Sequence, residues 1–137
     1  MLREVSRNDY YRVEFDPEER LLRLTRSATP QAGSEIEPLV TKLTMIVNPL
    51  RPARLLIDMR LAPGNNDPKF EQAGIAALQR LHAEFSAVAV LIRSAVGRLH
   101  FQRMMRESGQ HLHVFFEEAE ALHYLREQSL IPPASQS

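Results

Sequence analysis

Two short stretches of this chain contain only apolar residues: Leu55-Leu56-Ile57, closed by Asp58, and Ala87 to Ile92, closed by Arg93-Ser94. A strand with one face in water alternates apolar and polar residues, because successive side chains point to opposite faces. A strand with no polar position buries both faces, and this happens where helices cover a parallel sheet on each side. The two runs therefore predict central strands of an α/β sheet. Each is followed by a helix signal. Beyond the loop Arg60-Leu61-Ala62-Pro63-Gly64-Asn65-Asn66, Asp67 offers a side-chain cap and Pro68 stands at the first helical position. Phe70, Gly74, Ala77, Leu81 and Phe85 then form one stripe. After the second run, Ser94 suits the cap of a helix from about Ala95 to Ser108, which stops at Gly109.

Weaker signals flank this centre. Tyr11, Val13 and Phe15 alternate with Arg12 and Glu14, and Leu22 and Leu24 with Arg23 and Thr25, around the polar turn Asp16-Pro17-Glu18-Glu19. That is the pattern of a β-hairpin half in water. Ile36, Leu39, Val40, Leu43, Val47 and Leu50 keep helical spacing, and the start falls either at Thr29-Pro30 or at a Ser34/Glu37 capping box. Leu112, Val114 and Phe116 alternate as a strand, and Glu117 to Glu127 carries Ala121, Leu122 and Leu125 as a last helix. The predicted order is β-β-α-β-α-β-α-β-α, a mixed, mostly parallel sheet with helices packed against it. It occupies residues 10–127 of the 137, with 1–9 as an N-terminal extension and 128–137, rich in Pro and Ser, as a disordered tail.

Composition narrows the function. Formal net charge is zero, so the excess of basic charge that a nucleic-acid binder needs to neutralise phosphates is missing from the total, and no nucleic-acid partner is expected. Cysteine is absent, which removes disulfides, thiolate nucleophiles and Cys-based metal sites. The first residues, Met1 to Arg7, contain no apolar run of a secretory leader, and no apolar run approaches the ~20 residues of a membrane span. A soluble cytoplasmic chain is expected.

Strand, Asp, loop and helix in the segment Leu55-Leu56-Ile57-Asp58-Met59-Arg60, set in this order of elements, resemble the STAS domain of anti-sigma-factor antagonists and its SpoIIAA-like relatives, from about Tyr10 to Glu127. The resemblance implies a non-enzymatic interaction module of bacterial signalling that meets a regulatory partner, an anti-sigma factor or a kinase-like protein, at the start of the helix after the loop. In that family a Ser there is often phosphorylated. Here Asn66-Asp67-Pro68-Lys69 stands in its place, and no Ser or Thr lies between Asp58 and Phe85, so the phospho-switch is not expected. Asp67 serves either as a fixed negative charge or, as is commoner, as a plain N-cap. The alternative function is a SpoIIAA-like carrier of a small molecule or lipid held between sheet and helices. Gly74, Ala76 and Ala77 would either open a cavity for it or only let helices pack closely.

In doubly wound sheets, ligands and partners gather at the carboxyl ends of the strands. The candidate contact residues are therefore Asp58, Arg60, Gly64, Asn65, Asn66, Asp67 and Ser94. A second candidate surface is the helix 95–108, where Phe101, Met104 and Met105 share a side, Val96 and Leu99 fall away from it, and Arg98 interleaves. An apolar spread that wide fits either an exposed patch for a partner or second copy, or deeper burial. Of His82, His100, His111, His113 and His123, the pair His111-x-His113 has metal-compatible spacing on a strand but nothing near to complete a site. No metal, cofactor or catalytic residue is expected. Ser94 lacks a nucleophile elbow, Pro63-Gly64-Asn65-Asn66 is no phosphate loop, and Glu117-Glu118-Ala119-Glu120 complements a helix dipole.

Overall fold

The computed structural model describes residues 1–64, 67–109 and 112–130. Six strands, β1 (Arg3–Arg7), β2 (Tyr11–Asp16), β3 (Leu21–Arg26), β4 (Arg54–Asp58), β5 (Ala87–Leu91) and β6 (His113–Phe115), form one sheet in chain order. The pairs β1–β2 and β2–β3 are antiparallel, and the remaining three are parallel. Four helices connect or follow them: α1 (Ile36–Val47), α2 (Pro68–Glu84), α3 (Ala95–Ser108) and α4 (Glu118–Glu127). The fold is α/β with a mixed, mostly parallel sheet, and from β2 onward the order is the expected β-β-α-β-α-β-α-β-α.

The apolar runs lie where both faces are covered. One row crosses the sheet through Val13, Leu24, Ile57, Val90 and Val114. It packs with Leu39, Val40, Leu43 and Val47 of α1 and Ala77 and Leu81 of α2 in the larger core. On the opposite face Leu21, Leu56, Ala87, Ala89 and Leu91 meet Ala121 and Leu125 of α4. The polar half of the β2–β3 alternation lies on that opposite face, where Arg12 pairs with Glu14 at 3.2 Å. Leu43, Leu55, Leu56 and Leu125 are each at most 1% exposed, and burial of such a side chain contributes roughly 1.5–3 kcal/mol.

Local chemistry sets the helix ends. Asp67 accepts from the Lys69 N–H at 3.0 Å with Pro68 behind it, and Ser94 accepts from the Gly97 N–H at 3.2 Å. Gly109 ends α3 at φ 71°, a left-handed conformation that favours glycine, and its N–H donates to the Met105 carbonyl. The start of α1 differs from both expected positions. A 3-10 turn, Gly33–Glu35, leads into Ile36, and the Glu35 carboxylate accepts from the Ala32 N–H at 3.4 Å. Thr29 is occupied elsewhere, its carbonyl accepting from Arg26 Nη2 at 3.1 Å. Pro38 falls in the first turn of α1, where no N–H is needed. At the other end Pro49 converts the expected last turn, Asn48–Leu50, to 3-10 geometry.

Two boundaries need correction. Residues 1–9 are not a simple extension, because Arg3–Arg7 pairs with β2 as an edge strand. Its Arg-Glu-Val-Ser-Arg sequence is almost wholly exposed and carries no alternation to reveal it. The domain also continues past Glu127, since the Gln128 carbonyl accepts from Arg54 Nη2 at 2.9 Å; residues 131–137 of the expected tail lie outside the described residues.

Candidate functional site

The parallel strands bring two arrangements to their carboxyl edge, one on each face of the sheet. On the α4 side, Asp58 ends β4 at only 5% exposure. Its Oδ1 accepts from the backbone N–H and Nε of Arg60, at 3.1 and 3.0 Å. Its Oδ2 accepts from Arg60 Nη2 at 2.8 Å and from Arg23 Nη2 at 2.9 Å. Glu118, in the first turn of α4, reaches the same two arginines at 2.5 Å to Arg23 and 3.3 Å to Arg60. Burial pushes the Asp58 carboxyl upward, but the hydrogen bonds from Arg60, and then Arg23, outweigh it and hold the pKa below its ordinary value. The Asp58 hydrogen bond conversely raises that of Arg60. Asp58 is therefore committed to holding β3, β4 and α4 together and is not presented to a partner. Arg60 keeps 39% side-chain exposure and Asp67 is a helix cap.

On the other side lies a cavity of about 440 Å³. Its floor is Leu24, Ile57, Val90 and Ile92 of the sheet segments, and its walls come from Leu39, Val40 and Leu43 of α1, Phe70, Gly74 and Ala77 of α2, and Phe101 and Met104 of α3. Arg60, Ala62, Pro63 and Gly64 of the loop, the α3 cap Ser94, and Val96 and His100 of α3 also line it. Gly74 keeps the wall thin, because a Cβ there would meet only the Met104 methyl group, at 3.2 Å. Several expected contact residues are thus brought together: Arg60, Gly64 and Ser94 line one cavity, whereas Asp58 lies on the other face of its strand. Asn65 and Asn66 lie outside the described residues.

Arg26, the last residue of β3, also lines this cavity while being 4% exposed. Its Nε donates to the Tyr10 carbonyl at 3.0 Å and its Nη2 to that of Thr29. Both acceptors are neutral, and no ion pair within 4.0 Å joins Arg26 to a carboxylate among the described residues. Burial pulls its pKa down, opposed by the nearby Glu35 charge. Arg26 was not among the sequence candidates, although a signal was present: it shares strand parity with Leu22 and Leu24, which are buried on that face.

The side chains of α3 divide differently from the expected interface. Met104 is 5% exposed, and Phe101 and Met105 pack against the larger core. Of that Phe-Met face only Met104 is buried, while Phe101 and Met105 stay partly exposed. Val96 and Leu99, which fall off the stripe, are 76% and 64% exposed, and Arg98 lies over the Phe116 ring at 5.5 Å. Of the histidines, His113 stacks on Tyr124 with centroids 4.2 Å apart, and His111 lies outside the described residues. Among the described residues no group of three or more His, Asp or Glu is placed to hold a metal, and no helix is long and apolar enough to cross a membrane. Compared with protein-family models, with curated proteins and with solved structures, the chain shows no match.

Proposed function

We propose that this chain is a binding domain that holds a small, largely apolar molecule between its sheet and the helices α1, α2 and α3, acting by binding and not by turnover. The supporting observation is the 440 Å³ cavity lined mainly by Leu, Ile, Val, Phe and Met. Its size falls within the ~300–1,000 Å³ typical of small-molecule sites, with a few polar groups among apolar walls. Leaving such space open is costly. At about 24 cal/mol per Å³ a sealed void of this volume would forfeit on the order of 10 kcal/mol, an upper bound for one with a mouth. Occupancy restores those contacts. The reading coincides with the carrier branch of the SpoIIAA-like resemblance.

A second reading, a STAS-like module for a signalling protein, is favoured by a separate observation. Leu61 (58% exposed), Val96, Leu99 and Phe116 (38%) are exposed in segments that follow β4, β5 and β6 at their carboxyl ends, and exposed apolar groups mark interaction surfaces.

Native mass spectrometry of freshly purified protein tests the proposal, followed by organic extraction of anything bound. A mass increment that is lost in Gly74→Leu and in Ala77→Met, both of which narrow the cavity, supports a carrier. An empty chain, together with no gain in melting temperature across a panel of apolar compounds, would refute it.

A further inference from the structure

We propose that the occupant of the cavity is an amphiphile with a carboxylate head, seated with its anionic group against the Arg26 guanidinium and its hydrocarbon body along the floor of β3, β4 and β5. The inference rests on the cavity being a ligand site, and it adds the chemical class of the ligand. Its basis is a buried cation facing an apolar space without a counter-charge in contact. A guanidinium in an apolar setting is costly unless paired and hydrogen-bonded. Arg26 has two backbone carbonyls as partners, but these are neutral and leave its charge without an ion pair among the described residues. Glu35, whose charge acts on Arg26, accepts from the Ala32 N–H at 3.4 Å. A ligand carboxylate would supply the missing counter-charge, and guanidinium–carboxylate contacts are among the strongest available to a protein.

The charge on the rest of the lining agrees. Arg26, Arg60 and Arg93 line the cavity against one carboxylate, Glu71. Glu71 is paired with Arg103 at 3.0 Å, and Arg60 with Asp58. Size limits the hydrocarbon part. At ~30 Å³ per water-sized group, 440 Å³ accommodates about 15 such groups, so a chain of roughly ten carbons fits.

The test compares three ligands of one length, decanoate, decanol and decyltrimethylammonium, by calorimetric titration at pH 7.5. Decanoate should bind about tenfold or more tighter than decanol, as a charge-assisted hydrogen bond in a buried site implies, and the cation should bind weakest. In Arg26→Met the preference for acid over alcohol should vanish while decanol binding persists; Arg26→Lys should keep part of it. The carboxyl carbon of 13C-labelled decanoate bound to unaltered protein should titrate at lower pH than in free solution, a readout independent of whether any variant folds. Equal affinity for acid and alcohol, or an unshifted carboxyl titration, overturns the Arg26 anchor and leaves the apolar site standing. Binding of none of the three overturns both.

Discussion

Replacing Asp58 by Asn removes the charge at the centre of the Arg23–Asp58–Arg60–Glu118 network while keeping the side chain's shape. Removal of one partner from a buried ion pair typically costs ~3–5 kcal/mol, since the other charge is left unmatched. Two features reduce that here. The Arg60 side chain is 39% exposed and can turn to water, and Glu118 remains within reach of both arginines. Arg23, at 14%, has less freedom. The expected loss is about 2–3 kcal/mol, or roughly 6–12 °C in melting temperature for a domain of this size. The pH dependence follows from the direction of the Asp58 shift. Its folded-state pKa lies below the unfolded value of ~3.9, so its contribution is complete above that pH and disappears as pH falls through the folded value. Asp16, also held below its ordinary value, is present in both proteins and cancels. Urea unfolding followed by circular dichroism should show a constant gap between wild type and Asp58→Asn from pH 8 to 5, closing below pH 4. A gap smaller than about 0.5 kcal/mol at pH 7, or one that persists unchanged at pH 3, would refute the idea that this carboxylate holds the edge together.

Other substitutions separate buried from exposed faces. Met104→Asp should destabilise by at least about 3 kcal/mol, since it places a carboxylate in an apolar wall, whereas Leu99→Asp should stay within about 0.5 kcal/mol; thermal melts compare them directly. Gly74→Ala should stabilise by up to about 1 kcal/mol from helix propensity, because its only close neighbour is the flexible Met104 methyl; a loss of stability in urea would mean that Met104 is held rigidly. Ser94→Ala should cost about 1 kcal/mol through loss of the bond to the Gly97 N–H, read as a lowered unfolding midpoint, with Ser94→Asp restoring it.

What the sequence disclosed was what short-range chemistry decides. The strands β4 and β5 announced themselves through uninterrupted apolar runs, and Asp67, Ser94 and Gly109 through caps whose partners lie within four residues. The orientation of α3 was not decidable in this way, because burial of Phe101 and Met104 depends on α2 and on the sheet. Strand β1 has no apolar face of its own and exists by pairing with β2. The role of Asp58 was hidden for a related reason. Its partner Arg23 lies 35 positions away, and Arg23 in turn meets Glu118 across 95, so that what reads locally as a free carboxylate is fully engaged. Parity with Leu22 and Leu24 could have placed Arg26 on the inner face, but not at a cavity, since α1, α2 and α3 enclose it only once folded.

The two faces of the sheet are covered on different schedules. The larger core draws on α1 and α2, both of which precede β5, and so assembles progressively as the chain lengthens from its N-terminus. Among the described residues the other face, with Leu56, Ala89 and Leu91, is covered by α4, which follows β4 and β5 in the chain. Until Ala121 and Leu125 arrive, β4 and β5 have one apolar side open to water, and Arg23 and Asp58 lack the Glu118 that completes their network. During synthesis the nascent domain thus carries a greasy, half-neutralised surface until α4 emerges, and docking of α4 closes the second core and the ion-pair network in a single event.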